Sequence, residues 1–347
     1  MRILIIGGNG NIGYHCTIEA LHLGHEVWVI NRKDTFEHRK LYSDSINLHK
    51  LHLDVYDLSL VKQTLNNEGF DEYNKFDVVV DFLCYKPEHA HADIELFNKL
   101  TKHFIFISST AVYKRPYKEI FAKETSELDY NTKWGYAYNK IQCEEIFKDA
   151  YEKLGFPVTI IRPAYTYDTT IPYAIGHDKG WTICQRMIDG KPIIVLGDGV
   201  SLWSLSHSTD ISKAIILLFG NENLINQTFH ITSDEYLTWI EIQKIIAESL
   251  NIDSLNMNSL NIICVPTDYI LRNKFDVGIH LYHHRKWNDL YDNTKIKCVI
   301  PSWKPEILFK DGIKKTIEWF NEDKRRKWIN DDLNKFLDET CKKFSQL

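Results

Sequence analysis

The run Arg2-Ile-Leu-Ile-Ile-Gly7-Gly-Asn9-Gly10-Asn11-Ile12-Gly13 decides the fold of this chain. Ile3 to Ile6 is uninterrupted apolar sequence, the pattern of a parallel strand buried on both faces. Gly7, Gly10 and Gly13 follow at three-residue spacing. Glycine lets a backbone turn sharply and approach a pyrophosphate with no Cβ in the way. The amphipathic stretch Ile12, Cys16, Ile18, Ala20, Leu21, Leu23 comes next, so the turn joins a strand to a helix that opens near Asn11. The free N–H groups and positive dipole end of such a helix attract an anion. The spacing G-x-x-G-x-x-G has one more residue in the turn than the common dinucleotide pattern. The expectation is a dinucleotide site built from Gly7, Asn9, Gly10, Asn11, Ile12 and Gly13.

Working outward, strands near 2–6, 26–31, 48–53, 77–82, 103–108 and 158–162 alternate with helical stretches. That alternation predicts an α/β fold, a doubly wound parallel sheet. In such sheets ligands bind beyond the carboxyl ends of the strands. The second strand ends at Asn31-Arg32-Lys33, where the adenosine ribose would lie. An acid there would accept from the ribose 2′-hydroxyl, whereas a guanidinium pairs with a 2′-phosphate. NADP(H) is therefore favoured over NAD(H), with Asn31 and Arg32 as contacts. The third strand leads to Asp54-Val55, where Asp54 could accept from the adenine amino group. The fourth, Phe76-Asp-Val-Val-Val-Asp81-Phe82-Leu83, brings Phe82 and Leu83 under the cofactor. Asp81 reads as a cap for the segment after it.

The fifth strand, Phe104-Ile-Phe-Ile107, delivers Ser108 and Ser109 to the same edge. Tyr136 and Lys140 follow four residues apart, on one face of a helix. A phenol titrates near 10, and a fixed ammonium beside it favours the phenolate. Such a pair exchanges a proton with a carbonyl or alcohol oxygen as hydride arrives or leaves. A serine hydroxyl stabilises the charge that develops on that oxygen. A second Tyr-x-x-x-Lys, Tyr282-His-His-Arg-Lys286, has no serine-bearing strand before it and reads as surface or substrate-loop sequence.

These segments resemble the extended short-chain dehydrogenase/reductase family, which includes nucleotide-sugar epimerases, dehydratases and ketoreductases. The resemblance also covers Ile161-Arg162-Pro163-Ala-Tyr-Thr-Tyr167, Ser206-His207-Ser-Thr-Asp210-Ile211, Thr228-Phe-His230-Ile and Trp303-Lys-Pro-Glu306, so it spans almost the whole chain. It implies a Rossmann sheet with a smaller C-terminal substrate lobe. It implies Ser109 as the catalytic hydroxyl and Tyr136 as acid/base. Lys140 would also hold the nicotinamide ribose, and Pro163 would lie beside the nicotinamide. A homodimer paired through the Tyr136 helix is the family expectation.

Two departures narrow the reaction. Dehydratases of the family follow the catalytic hydroxyl with Asp-Glu, but here Thr110-Ala111 follows Ser109. Many nucleotide-sugar enzymes of the family carry an arginine before the His-x-x-Asp segment, where this chain has Trp203. Arg186, Arg272, Arg285 and Lys286 are the candidate substitutes for that diphosphate clamp, and Trp203 is read either as packed or as stacked on a sugar or base. The expected activity is hydride transfer to or from a carbonyl or secondary alcohol of a sugar-like substrate. A ketoreductase stands slightly ahead of an epimerase with tightly held NAD. A non-catalytic relative that senses cofactor or binds RNA is the rival from another class.

With 347 residues, 44 % of them apolar, the chain has ample core for a large domain and a lobe. The division is expected at 1–165 for the dinucleotide-binding core and 166–347 for mainly the lobe, with 205–235 returning to the core. A net charge of −5 disfavours a broad nucleic-acid surface. The seven cysteines are scattered, with neither a disulfide framework nor zinc-ligand spacing, and no metal is expected. A reducing cytoplasm fits that usage, and the start of the first strand at Arg2 leaves no room for a signal peptide. No apolar run reaches the ~18 residues of a membrane span.

Overall fold

The computed structural model describes residues 1–33, 38–41, 45–178, 180–252 and 260–345. Six strands fall where the apolar runs predict: β1 (Arg2–Ile6), β2 (Glu26–Asn31), β3 (Leu48–His52), β4 (Val78–Asp81), β5 (Phe104–Ile107) and β6 (Val158–Pro163). A seventh, Thr228–Ile231, joins beside β6. All pair in parallel, in the order 3-2-1-4-5-6 with Thr228–Ile231 outside β6. The order reverses between β1 and β4, and a ligand crevice is expected at such a reversal.

Both sheet faces are covered, as a parallel sheet requires. Alternate residues of each strand therefore enter different cores. Ile3, Ile5, Val78 and Val80 pack with Cys16 and Ala20 of α1 (Gly13–His22) and with Ile211 and Ile215 of α6 (Ser208–Leu217). Leu4, Ile6 and Val79 pack with Val61 and Leu65 of α2 (Leu58–Asn67), Ala90 and Phe97 of α3 (Pro87–Phe97), and Phe147 of α4 (Gly135–Leu154). Each fully buried aliphatic side chain contributes about 1.5–3 kcal/mol.

A separate apolar cluster forms the lobe, around Trp181, Trp203, Trp239, Phe309 and Phe320. Its small parallel pair joins Ile193–Leu196 to Ile262–Val265. Helices α5 (Thr182–Ile188) and α7 (Trp239–Ser249) contribute to this cluster, and α7 opens with a capping box between Thr238 and Glu241. The chain returns to the sheet through Leu205–His207, which pairs with Tyr165–Tyr167, and then through α6. Asp210 in the first turn of α6 accepts from the backbone N–H groups of Glu306 (2.9 Å) and Ile307 (2.8 Å). The Trp303 indole donates to the Asp210 carbonyl. Two of the resembling segments are thus halves of one joint.

Among the described residues, no helix is long and apolar enough to cross a membrane. The seven cysteines are free thiols.

His103 sits under the sheet with Nε2 2.8 Å from Thr159 Oγ1. Burial pushes its imidazole down from 6.5 to about 4. The fold therefore favours the neutral ring. That contribution is complete above 6.5 and is lost as pH falls toward 4. In His103→Gln the stability deficit relative to the parent protein should narrow by about 1.4 kcal/mol per pH unit below that point. Urea unfolding at pH 7 and pH 5 measures it; a constant gap would refute the assignment.

Candidate active site

A cleft of about 710 Å³ opens at the reversal in strand order. Eleven of the residues singled out from sequence line it: Gly7, Gly10, Asn11, Ile12 and Gly13 at the turn, Phe82 and Leu83 after β4, then Ser109, Tyr136, Lys140 and Pro163.

The turn after β1 is as tight as its glycines suggest. Gly7 has φ of +82°, a conformation that L side chains rarely adopt, and its N–H donates to the Ile30 carbonyl. A Cβ on Gly13 would stand 2.2 Å from the Gly7 carbonyl oxygen. The helix begins at Gly13 rather than near Asn11, because residues 9–12 form the turn itself. From the lobe side, Thr169 N–H donates to Asn11 Oδ1 at 3.2 Å. Asp168, fully buried, takes both Nε and Nη2 of Arg39 and lies 3.0 Å from His15 Nε2. Burial alone would raise that carboxyl, but Arg39 and His15 hold it well below the usual carboxylate range.

The two serines after β5 have different tasks. Ser108 donates to Glu144 Oε1 at 2.6 Å and is part of the framework. Ser109 caps the turn Thr110–Val112, its Oγ accepting from Ala111 N–H at 3.1 Å. Having accepted from the backbone, the Ser109 hydroxyl still has its proton to donate.

Helix α4 brings Tyr136 and Lys140 to the cleft one turn apart. Tyr136 is partly exposed, between Trp134 and Tyr85, with ring centroids 5.2 and 6.5 Å away. Lys140 is buried, and its Nζ donates to the carbonyls of Cys84 (2.6 Å) and Ile107 (2.7 Å). An ammonium has three protons, so one remains for a ligand. Behind this face, Glu144 of α4 pairs with Arg162 of β6 through Nε at 2.8 Å and through Nη2. Arg162 Nη1 donates to the Tyr113 hydroxyl at 2.7 Å, and Tyr113 in turn meets His230 Nε2. Burial pushes the Glu144 carboxyl up, but Arg162 and Ser108 outweigh it and hold it below its ordinary range.

Five expected contacts do not line the cleft. Asn9 and Asn31 are buried against each other, with Asn9 N–H 3.4 Å from Asn31 Oδ1. Arg32 is exposed at the end of β2. Asp54 is exposed and accepts from Tyr56 N–H, and Val55 belongs to the core beneath. Trp203 is fully buried against Trp239, so it is a packing residue. Asp81 is buried and accepts from Leu83 N–H, as a cap does. It also lies with Cys84 and Asp93 in a buried group whose candidate ligand atoms are within 4.8 Å of one another.

The sequence reading assigned only Arg285 of one further wall a role. Trp134, Tyr85, His280, His284 and Arg285 also line the cleft. Tyr282 is exposed, as expected of a surface loop, but His284 and Arg285 of the same π-turn, Leu281–Arg285, line the site. Of the candidate clamp residues, Arg285 reaches the cleft, whereas Arg186 is tied to Pro192, Asn334 and Asp338. A run of histidines and an arginine was the available signal, and it has no spacing that names a role.

A family model for the NAD dependent epimerase/dehydratase family matches residues 3–231. A chloroplast stem-loop binding protein of 41 kDa from Arabidopsis thaliana is 27 % identical over 322 residues, covering 90 % of this chain and 77 % of the relative. Two solved structures share the fold. The dTDP-glucose 4,6-dehydratase of Bacillus anthracis in complex with NAD superposes with a TM-score of 0.71 at 17 % identity, covering 95 % of this chain and 98 % of that one. The UDP-glucose 4-epimerase of Thermotoga maritima with UDP-glucose gives 0.69 at 20 %, covering 93 % and 99 %.

Gly13→Ala should leave secondary structure intact and weaken NADH and NADPH binding about tenfold or more, because the new methyl forces the turn away from the Gly7 carbonyl. Nicotinamide fluorescence titration reads this directly, and unchanged affinity would separate the turn from the cofactor.

Proposed function

The chain belongs to the NAD-dependent epimerase/dehydratase family, and on that premise we propose that it is an NAD(P)-dependent oxidoreductase acting on a carbonyl or secondary alcohol of a sugar-like substrate. The observation that carries this reading is the convergence of Ser109, Tyr136 and Lys140 with the Gly7–Gly13 turn on one cleft. The turn fits a dinucleotide, because a Cβ at Gly13 would collide with the cradle wall. The bound nicotinamide supplies the hydride acceptor or donor. In oxidation, Tyr136 takes the hydroxyl proton of the substrate as the carbinol hydride leaves. In reduction, it returns that proton to the carbonyl oxygen. Ser109 donates its free proton to the same oxygen and stabilises its developing charge. Lys140, held by the Cys84 and Ile107 carbonyls, would offer its third N–H to the nicotinamide ribose.

No aspartate or glutamate is among the described residues that line the cleft. Thr110 and Ala111 occupy the positions after Ser109, and Thr110 Oγ1 lies 3.3 Å from the Pro163 carbonyl. Nothing there replaces the proton shuttle of a dehydratase, which supports plain hydride transfer over water elimination. The net charge of −5 and the complete Ser109, Tyr136, Lys140 set favour catalysis over nucleic-acid binding.

Between the two hydride-transfer reactions, a ketoreductase using NADPH is our first reading. It rests on the exposed Arg32 and the absence of an acid at the end of β2. The NAD in the related dehydratase structure favours the second, an epimerase with retained NAD. We further propose a cytoplasmic homodimer, from the cysteine usage and the family habit of pairing through the Tyr136 helix.

Tyr136→Phe should lower turnover by about 100-fold or more while leaving cofactor affinity within about twofold. Surviving turnover would remove Tyr136 from the chemistry. Arg32→Ala should weaken NADPH binding about tenfold and leave NADH binding unchanged. NAD released from the denatured protein, or equal loss for both cofactors, would move the reading to the epimerase.

A further inference from the structure

The π-turn Leu281–Arg285 brings His284 to the cleft wall. Its Nε2 lies 3.1 Å from Asp289 Oδ1. Asp289 is fully buried and also accepts from Arg115, from the Tyr117 hydroxyl at 3.1 Å and from the Tyr291 hydroxyl. Burial opposes ionisation, but Arg115 and the donors around it hold this carboxyl well below the usual range. An ionised carboxylate only accepts, so the ring proton of His284 sits on Nε2. Burial, then the Arg115 cation, push His284 down to about 4, so the imidazole is neutral at pH 7. A neutral ring protonated on Nε2 presents a lone pair at Nδ1. Among the described residues, no donor is hydrogen-bonded to Nδ1.

The neighbours give this acceptor a context. The imidazole lies nearly parallel to Trp134, at 27° with centroids 5.5 Å apart. Trp134 in turn stands 5.2 Å from the ring of Tyr136. Trp134 therefore packs against both the imidazole and the phenol.

We propose that His284 is a substrate-binding residue that accepts a hydrogen bond from a hydroxyl group of a carbohydrate ring, with Trp134 covering an apolar face of that ring and Asp289 as the positioning residue that fixes the acceptor. This inference rests on the hydride-transfer reading of the cleft and names the substrate chemistry it takes. A phosphate or carboxylate has no proton to give Nδ1 at neutral pH. This subsite therefore selects an uncharged hydroxyl-bearing group in the same cleft as Tyr136.

The test uses the full chain loaded with oxidised cofactor. UDP-glucose and dTDP-glucose are titrated, with UDP and dTDP as nucleotide-only controls. His284→Phe should weaken both sugar nucleotides about fivefold, the loss of one hydrogen bond, and leave the controls within about twofold. His284→Asn, whose Oδ1 replaces Nδ1 as acceptor, should recover most of the loss, and His284→Leu, which has no acceptor, carries the test if the phenylalanine variant fails to fold. Cofactor affinity should be the same in every variant. Equal losses for UDP and UDP-glucose, no loss at all, or no binding of either sugar nucleotide to the parent protein would overturn the inference. If Tyr136→Phe abolishes turnover in those cases, the hydride-transfer reading stands without it. Turnover that survives Tyr136→Phe overturns the parent reading instead.

Discussion

The ion pair between Glu144 and Arg162 holds the reactive face together. Taking two charges out of water costs several kcal/mol per ion, and only close geometry with satisfied partners offsets it. Both conditions are met. Glu144 accepts from Arg162 and from Ser108, and Arg162 donates its other nitrogen to Tyr113 and to the Glu124 carbonyl. Each member comes from a different piece of chain: the end of β5, helix α4, β6, and, through His230, the outer strand. The pair thereby sets the position of the helix that carries Tyr136 relative to the strand that delivers Ser109. Apolar packing alone would leave α4 free to slide along its greasy stripe. A bidentate guanidinium contact does not permit that.

The two walls of the cleft differ in construction. The cofactor wall is made of strand ends and a glycine turn, held by backbone hydrogen bonds and by Lys140 across two strand ends. The lobe wall is side-chain work: Arg285 lies 4.5 Å from the Tyr165 ring, and His284 is held through Asp289. The joint between Asp210 and the backbone of Glu306 and Ile307 ties the lobe to the sheet without touching either wall.

Much of this was readable from sequence where one period or one spacing dominates. A parallel strand buried on both faces announces itself as an apolar run, so β1, β2, β4 and β5 lie within a residue or so of expectation. The glycine spacing and the Tyr136–Lys140 pair are local patterns, and both line the cleft. Asn9, Asn31, Asp54 and Val55 do not line the cleft, because a strand end fixes where a loop starts and not which way its side chains turn. Only the family resemblance singled out Ser109 over Ser108, since the physical difference between them lies in Glu144, far along the chain. His284 was unreadable for the same reason. Its tautomer depends on Asp289, whose charge depends on Arg115, so its chemistry is a product of tertiary contacts.

The separation of the walls has an evolutionary consequence. Substitutions in β1, β5 or α4 disturb chemistry and fold at once, because the same contacts serve both. The Leu281–Arg285 turn carries none of the proton- or hydride-handling groups, yet two of its five residues face the cleft. Drift in that short turn can redirect selectivity while the redox machinery stays intact. Lineages that share this scaffold would then diverge in what they process faster than in how they process it, with the turn as the site of innovation and the buried carboxylate behind it as the brake.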